Sequence, residues 1–195
     1  MAADFHDELG NKITRISLFS ELIKQEGGKL PDSVKNYVDR ISDNANTLYS
    51  ETRDFIWQLD PTKDSLLETI IRIKNFGDEV FTDTSVDLEF ENDASEFNSK
   101  KLSMELRKQT TRIMKEALHN VLKHSKASRV RFTIFSKNER IVFRIADNGI
   151  GFNGNIESKG NGLSNMKLRS EQIDAELEIK NNQGVTVELA LKLPE

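Results

Sequence analysis

Glu116, Asn120, Lys123 and His124 follow one another at spacings of four, three and one, which puts all four on one face of an α-helix. A carboxylate, a carboxamide, an ammonium and an imidazole then converge on whatever covers that face. The carboxylate and carboxamide suit a hard, hydrated cation such as Mg²⁺, which keeps several waters and takes phosphate oxygens as ligands. Lys123 and His124 could meet phosphate directly. Leu106, Ile113, Ala117 and Val121 form the buried stripe opposite, and spacing alone is equally compatible with an ordinary solvated face. His119 and His124 lack the H-E-x-x-H spacing of a helical zinc site, so a metal held through histidine is not expected.

Two glycine-rich stretches follow. In Asp147-Asn148-Gly149-Ile150-Gly151-Phe152 an acid closes an apolar strand, and the glycines after it let backbone approach a ligand. Such an acid can hold the exocyclic amine of a base, although a plain Asp-Asn-Gly turn would read the same. Gly149 to Gly154 also matches G-x-G-x-x-G, but the next residues are loop formers and do not open a helix, so a Rossmann site is not expected. In Gly160-Asn161-Gly162-Leu163 the glycines lead directly into a helix, whose free N–H groups bind phosphate. The order of these elements describes a site for a nucleoside triphosphate with Mg²⁺. No G-x-x-x-x-G-K-[ST] occurs, so it is not a P-loop.

The elements that must position these residues fall into two textures. Phe5, Leu9, Ile13, Ile16, Phe19 and Ile23 share a helical stripe that should end at Gly27-Gly28. Val34, Ile41, Leu48 and Phe55 then recur every seventh residue, with Val38, Ala45, Thr52 and Leu59 in the second seam position. Such heptads make a bundle seam. The expectation is a helical hairpin whose half-covered seam pairs with a second copy in a four-helix bundle; covering by the chain's own C-terminal part is the alternative. Asp60-Pro61 ends the second helix and sets the expected boundary, residues 1–60 against 61–195. Beyond it come a helix over Leu66–Val80, a strand over Val86–Phe90 and a helix from about Ser99 to Leu122. Strands over Val130–Ile134 and Ile141–Ile145 are joined by a Lys137-Asn138-Glu139 turn. A helix over Leu163–Ile173 and strands over Leu177–Ile179 and Val185–Leu193 close an α+β sandwich with a mostly antiparallel sheet.

Composition excludes several classes. The net charge of −4, with 31% charged residues, does not favour nucleic acid as a partner. The chain has no cysteine, hence no disulfide or thiol nucleophile, and fits a cytoplasmic setting. No apolar run is long enough to span a membrane, and no membrane contact is expected for this stretch. Met1-Ala2-Ala3 leading at once into a helix suggests a piece of a longer protein.

Glu116 to His124 resembles the N box, Asp147 to Phe152 the G1 box and Gly160 to Leu163 the G2 box of the Bergerat-fold ATPases. Ser164 to Arg169 is similar to the nitrate/nitrite-sensor class of bacterial two-component sensor histidine kinases. Their phosphoacceptor motif H-D/E-x-x-G/A-Q resembles His6-Asp7-Glu8-Leu9-Gly10-Asn11. The resemblance implies a homodimeric hairpin carrying the phosphoacceptor His6 and a Bergerat-type ATP-binding sandwich. Asn120 would hold Mg²⁺, Glu116 would sit by metal and γ-phosphate, and Lys123 and His124 would contact phosphates. Asp147 would accept the adenine amino group, and Gly149, Gly151, Gly160, Asn161, Gly162 and Leu163 would shape the pocket and a mobile lid. The implied partner is the receiver domain of a cognate response regulator, and the implied setting is cytoplasmic, with room in a longer protein for a sensor in the inner membrane.

On an ideal helix His6 stands roughly a quarter turn from the centre of the apolar stripe, with Asp7 and Asn11 on the far side. A neutral imidazole, of ordinary pKa about 6.5, is available at neutral pH, and Asp7 would fix its tautomer and take up its proton. Two departures stand out. Asn11 replaces the family's glutamine and is one methylene shorter, so only weak phosphatase activity toward the regulator is expected. Val185 follows Gly184 where the family often has threonine, and Thr186 should point to the other face of its strand. The competing reading is a Bergerat-fold ATPase or nucleotide-binding signalling module without histidine kinase activity.

Overall fold

The computed structural model describes residues 2–26, 31–151, 160–181 and 183–193, and within its helices the side chains of residues 2–11, 26, 50–51, 54–55, 58 and 160–161 lie outside that description. The chain forms two compact units, Met1–Pro61 and Thr62–Glu195.

The first unit is an antiparallel pair of helices, α1 (Ala2–Glu26) and α2 (Asp32–Leu59). Helix α2 stops because Asp60 precedes a proline and must leave the α region: its ψ is 112°, while its N–H still donates to the carbonyls of Ile56 and Trp57. Small residues hold the two helices together. Ile13 and Ser20 of α1 and Val38, Ser42 and Ala45 of α2 are buried, and Ser17 Oγ donates to Asn46 Oδ1 at 3.1 Å. The larger seam residues remain outside, with Ile16 44%, Phe19 53%, Ile41 50% and Leu48 50% exposed. The expected single stripe therefore divides in two. Short side chains at positions 38, 42 and 45 let the helices approach along that line, which turns the long ones outward. The Gly27-Gly28 helix stop lies outside the described residues.

The second unit contains α3 (Leu66–Phe81), β1 (Asp87–Asn92), α4 (Met104–Asn120), β2 (Arg129–Lys137), β3 (Arg140–Asp147), α5 (Gly160–Gln172), β4 (Glu176–Asn181) and β5 (Val185–Lys192). Ser65 and Ser103 cap α3 and α4: each hydroxyl accepts from the N–H three residues on, Glu68 and Leu106, at 3.2 Å. The start of α4 at Met104 rather than near Ser99 reflects that cap. The residues before it are instead bonded to the beginning of the unit, with Leu66 N–H donating to Lys100 O at 2.8 Å and Leu102 N–H to Asp64 O at 2.7 Å.

The sheet order is β1-β2-β3-β5-β4. The β1–β2 pair is parallel and the others are antiparallel. Asn138 and Glu139, both in the left-handed region (φ 49° and 60°), make the two-residue turn between β2 and β3. Strict alternation directs Phe132, Ile134, Phe143, Ile145, Leu189 and Leu191 into a core closed by Ile70 and Ile73 of α3, Ile113 and Leu118 of α4 and Met166 of α5. The opposite sheet face carries cross-strand ion pairs such as Arg131–Glu89 at 2.9 Å and Arg144–Glu188 at 2.7 Å.

Candidate nucleotide-binding site

A cavity of about 760 Å³ opens in the second unit between the C-terminal end of α4, the end of β3, the first turn of α5 and the start of β5. Glu116 and Asn120, one turn apart on α4, form one wall together with Lys123 and His124. Asp147, Gly151, Gly162 and Leu163 form the rest of the predicted part of the lining. The structure thus brings these eight residues together. Gly149 lies just behind the wall, where a Cβ would collide with the Ser125 carbonyl oxygen and the Asp147 side chain. Gly160 and Asn161 belong to the first turn of α5 by backbone, and the side chain of Asn161 is outside the described set. The same holds for His6, Asp7 and Asn11, whose backbone lies in α1. The lid expected between the two glycine stretches, residues 152–159, also lies outside the described residues.

The cavity has two chemically distinct ends. Ile145, Met166, Val185 and Val187 make one end apolar. Asp147 sits there, buried, with Oδ1 accepting from Gly149 N–H at 2.8 Å and Oδ2 from Val185 N–H at 3.2 Å. Burial pushes its carboxyl pKa up, and the two backbone donors pull it partly back. A carboxylate fixed on both oxygens keeps lone pairs for an amine on a flat apolar base. The turn after it is held from outside by Asn148, whose Oδ1 accepts from Ser128 N–H at 3.0 Å and Arg129 N–H at 2.9 Å. Val185 faces the cavity, whereas Thr186 lies on the opposite sheet face near Arg129 and Arg131, as its strand position predicts.

At the other end, Gly162 packs so close to Glu116 that a Cβ would strike its Oε1. The N–H groups opening α5 therefore approach the acid–amide pair and the Lys123 and His124 side chains, an arrangement that suits a polyphosphate chain with its counter-ion. Glu116 and Asn120 could supply two oxygen ligands to Mg²⁺. Among the described residues no group of three or more His, Cys, Asp or Glu side chains converges, so these two with phosphate and water would be the donor set, as Mg²⁺ commonly accepts. His119, half-buried on a different side, meets Phe76 edge-on at 5.1 Å, and burial and then Lys123 lower its pKa.

Sequence reasoning missed the apolar lining of Ile145, Ile150, Met166 and Val187, which reads as plain core, and it missed Ser125. Helix α4 does not simply end near Leu122: it continues into one turn of π-helix, Val121–Ser125, closed by Lys126 in the left-handed region. Only the π turn itself, a local feature common at functional sites, marks Ser125 out.

Comparison with known proteins gives this geometry a family. Residues 105–195 match the model described as histidine kinase-, DNA gyrase B- and HSP90-like ATPase, and residues 1–64 match a model described as histidine kinase. Along the whole chain, the sensor histidine kinase LiaS of Bacillus subtilis is 25% identical over 202 residues, covering 100% of this chain and 53% of LiaS. The sensor histidine kinase DesK of the same organism is 29% identical over 196 residues, covering 98% of this chain and 50% of DesK. This chain is similar along its whole length to sensor histidine kinases. It carries both parts of a histidine kinase catalytic core, the second being an ATP-binding domain of the ATPase type. It spans about half the length of the curated relatives it matches. The histidine kinase domain of the blue-light activated kinase of Erythrobacter litoralis shares the fold, with a TM-score of 0.59 at 13% identity over 97% of this chain and 94% of that one.

Proposed function

We propose that this histidine kinase transfers the γ-phosphoryl group of ATP to His6 and then to an aspartate on the receiver domain of a response regulator. The single observation that supports this most is the two-ended cavity, with a fixed carboxylate among apolar residues at one end and Glu116, Asn120, Lys123 and His124 around the α5 N-terminus at the other. Residues 1–60 would serve as dimerisation and phosphotransfer hairpin and residues 61–195 as catalytic domain. In the transfer, the unprotonated nitrogen of His6 attacks phosphorus, the N–P bond forms and the bond from phosphorus to the bridging oxygen breaks. The electron pair leaves with ADP, while Asp7 takes the imidazole proton. Lys123, His124 and the α5 N–H groups balance charge on the phosphate oxygens and hold the chain in line. Mg²⁺, held by Glu116 and Asn120, would supply further charge neutralisation. Asn11, short by one methylene, leaves only weak phosphatase activity toward the regulator.

The exposed seam of Ile16, Phe19, Ile41 and Leu48 supports a homodimer, since a second hairpin would bury it. No helix among the described residues is long and apolar enough to cross a membrane. We place this part of the protein in the cytoplasm, beside ATP and the regulator. Incubation with γ-labelled ATP and Mg²⁺ tests the reading: acid-labile label on the chain, lost in His6→Gln and in Asn120→Ala, is the expected result. ATP bound without label on the chain would point instead to an ATPase or nucleotide-binding module.

A further inference from the structure

We infer that Ser125 is a positioning residue for the polyphosphate end of the site, acting by locking the π turn that presents His124. Its role rests on the nucleotide reading above but is carried by different atoms. Ser125 is buried, and both its hydroxyl and its carbonyl are engaged. Its hydroxyl donates to the carbonyl of Val121 at 2.8 Å, four residues back, and accepts from Ala127 N–H at 3.0 Å, two residues on. The side chain thus spans the whole turn and fastens both of its ends. Its carbonyl accepts from Ile150 N–H at 2.8 Å, and Gly149 packs directly on it. One residue therefore joins the end of α4 to the turn that follows Asp147.

The consequence is geometric. Continued as an α-helix, position 125 would lie about half a turn around from Glu116, away from the cavity, and His124 would stand roughly 80° around from Glu116, at the margin of the shared face. A π turn holds one more residue per turn than an α turn, so each side chain advances by a smaller angle. That smaller step brings His124 back over Glu116 and carries Ser125 toward the cavity, which both residues line. The wide turn loses the ordinary α-helical hydrogen bonds, and the Ser125 hydroxyl replaces part of that loss. Without it the turn can relax toward α geometry, which would turn the His124 side chain aside from Glu116 and the phosphates, while Asp147 keeps its own bonds to Gly149 and Val185.

Binding of ATP and of adenosine to the whole chain, with Mg²⁺ present, separates this role from a general structural one. Ser125→Ala should weaken ATP by about five- to tenfold, the worth of one or two buried hydrogen bonds, and adenosine by less than twofold. Ser125→Thr, which keeps the hydroxyl, should restore ATP binding. If Ser125→Ala does not fold, as judged by its melting curve, Ser125→Cys keeps the shape, weakens both hydrogen bonds and gives the same comparison. Equal weakening of both ligands, or none, would overturn the assignment and leave the nucleotide site standing. A wild-type chain that bound no ATP would overturn the nucleotide reading and this one together.

Discussion

The two units solve the burial problem in opposite ways. In the second, Phe132, Phe143, Leu189 and Met166 are buried inside a core that the chain closes by itself. In the first, apart from Ile13, serine, alanine and valine occupy the closed line between α1 and α2, and isoleucine, leucine and phenylalanine line the open one. Burial stabilises by about 25 cal/mol per Å² of apolar surface, so a hairpin that keeps its largest side chains outside gains little alone. The lesson is that the hairpin leaves an apolar seam uncovered, whereas the sandwich closes its own core. Stability of the first should depend on concentration, and that of the second should not.

Substitutions can break that comparison directly, and the largest effect is expected where the open seam receives charge. Ile41→Asp with Leu48→Asp should abolish self-association at micromolar concentration, seen by sedimentation equilibrium, and lower helicity, with ATP binding retained. A dimer that survived would show that another surface pairs. Phe143→Ala should cost the second unit about 3–5 kcal/mol, lowering the melting transition of that unit and leaving self-association intact. Ala45→Leu, which overfills the closed line, should cost the hairpin about 1–3 kcal/mol, read as a lower concentration-dependent melting temperature.

A subtler change concerns Asp147. Because burial raises its pKa, protonation begins at a higher pH than for an ordinary carboxyl, and the protonated oxygen no longer accepts from an amine. ATP affinity should therefore fall on acidification earlier than an exposed carboxylate would allow, measured by titration across pH. Asp147→Asn should bind about tenfold more weakly at neutral pH and lose that acid limb. Smallest is Ser65→Ala, expected to cost about 1 kcal/mol through the lost cap of α3, with no change in nucleotide affinity.

Much of this was legible in the sequence wherever the signal is local. Glu116, Asn120 and Lys123 share a face because helical spacing says so, and Asp147 before two glycines marks a strand end meeting a ligand turn. The heptads of α2 announced a seam but not which of its two lines turns toward α1. That choice is made by the size of residues facing position 38 and 45 from another helix, a non-local fact. The parallel pairing of β1 with β2 joins Asp87 to Arg129 across the whole of α4, and no alternation pattern carries the direction of pairing. The π turn was invisible for a different reason: the helical pattern stops near Leu122, and the turn beyond it is fixed by the local bond to Ala127 and the long-range one from Ile150.

The strand order leaves β1 and β4 at the two edges of the sheet. Any pairing through the hairpins would tether a second sheet nearby at high effective concentration, a setting in which bare edges invite strand-to-strand aggregation. Both edges are guarded: Asp87, Glu89 and Glu91 alternate along β1, and Glu176, Glu178 and Lys180 along β4. If the chain pairs by its helices, as proposed, it has charged the strands through which it must not pair.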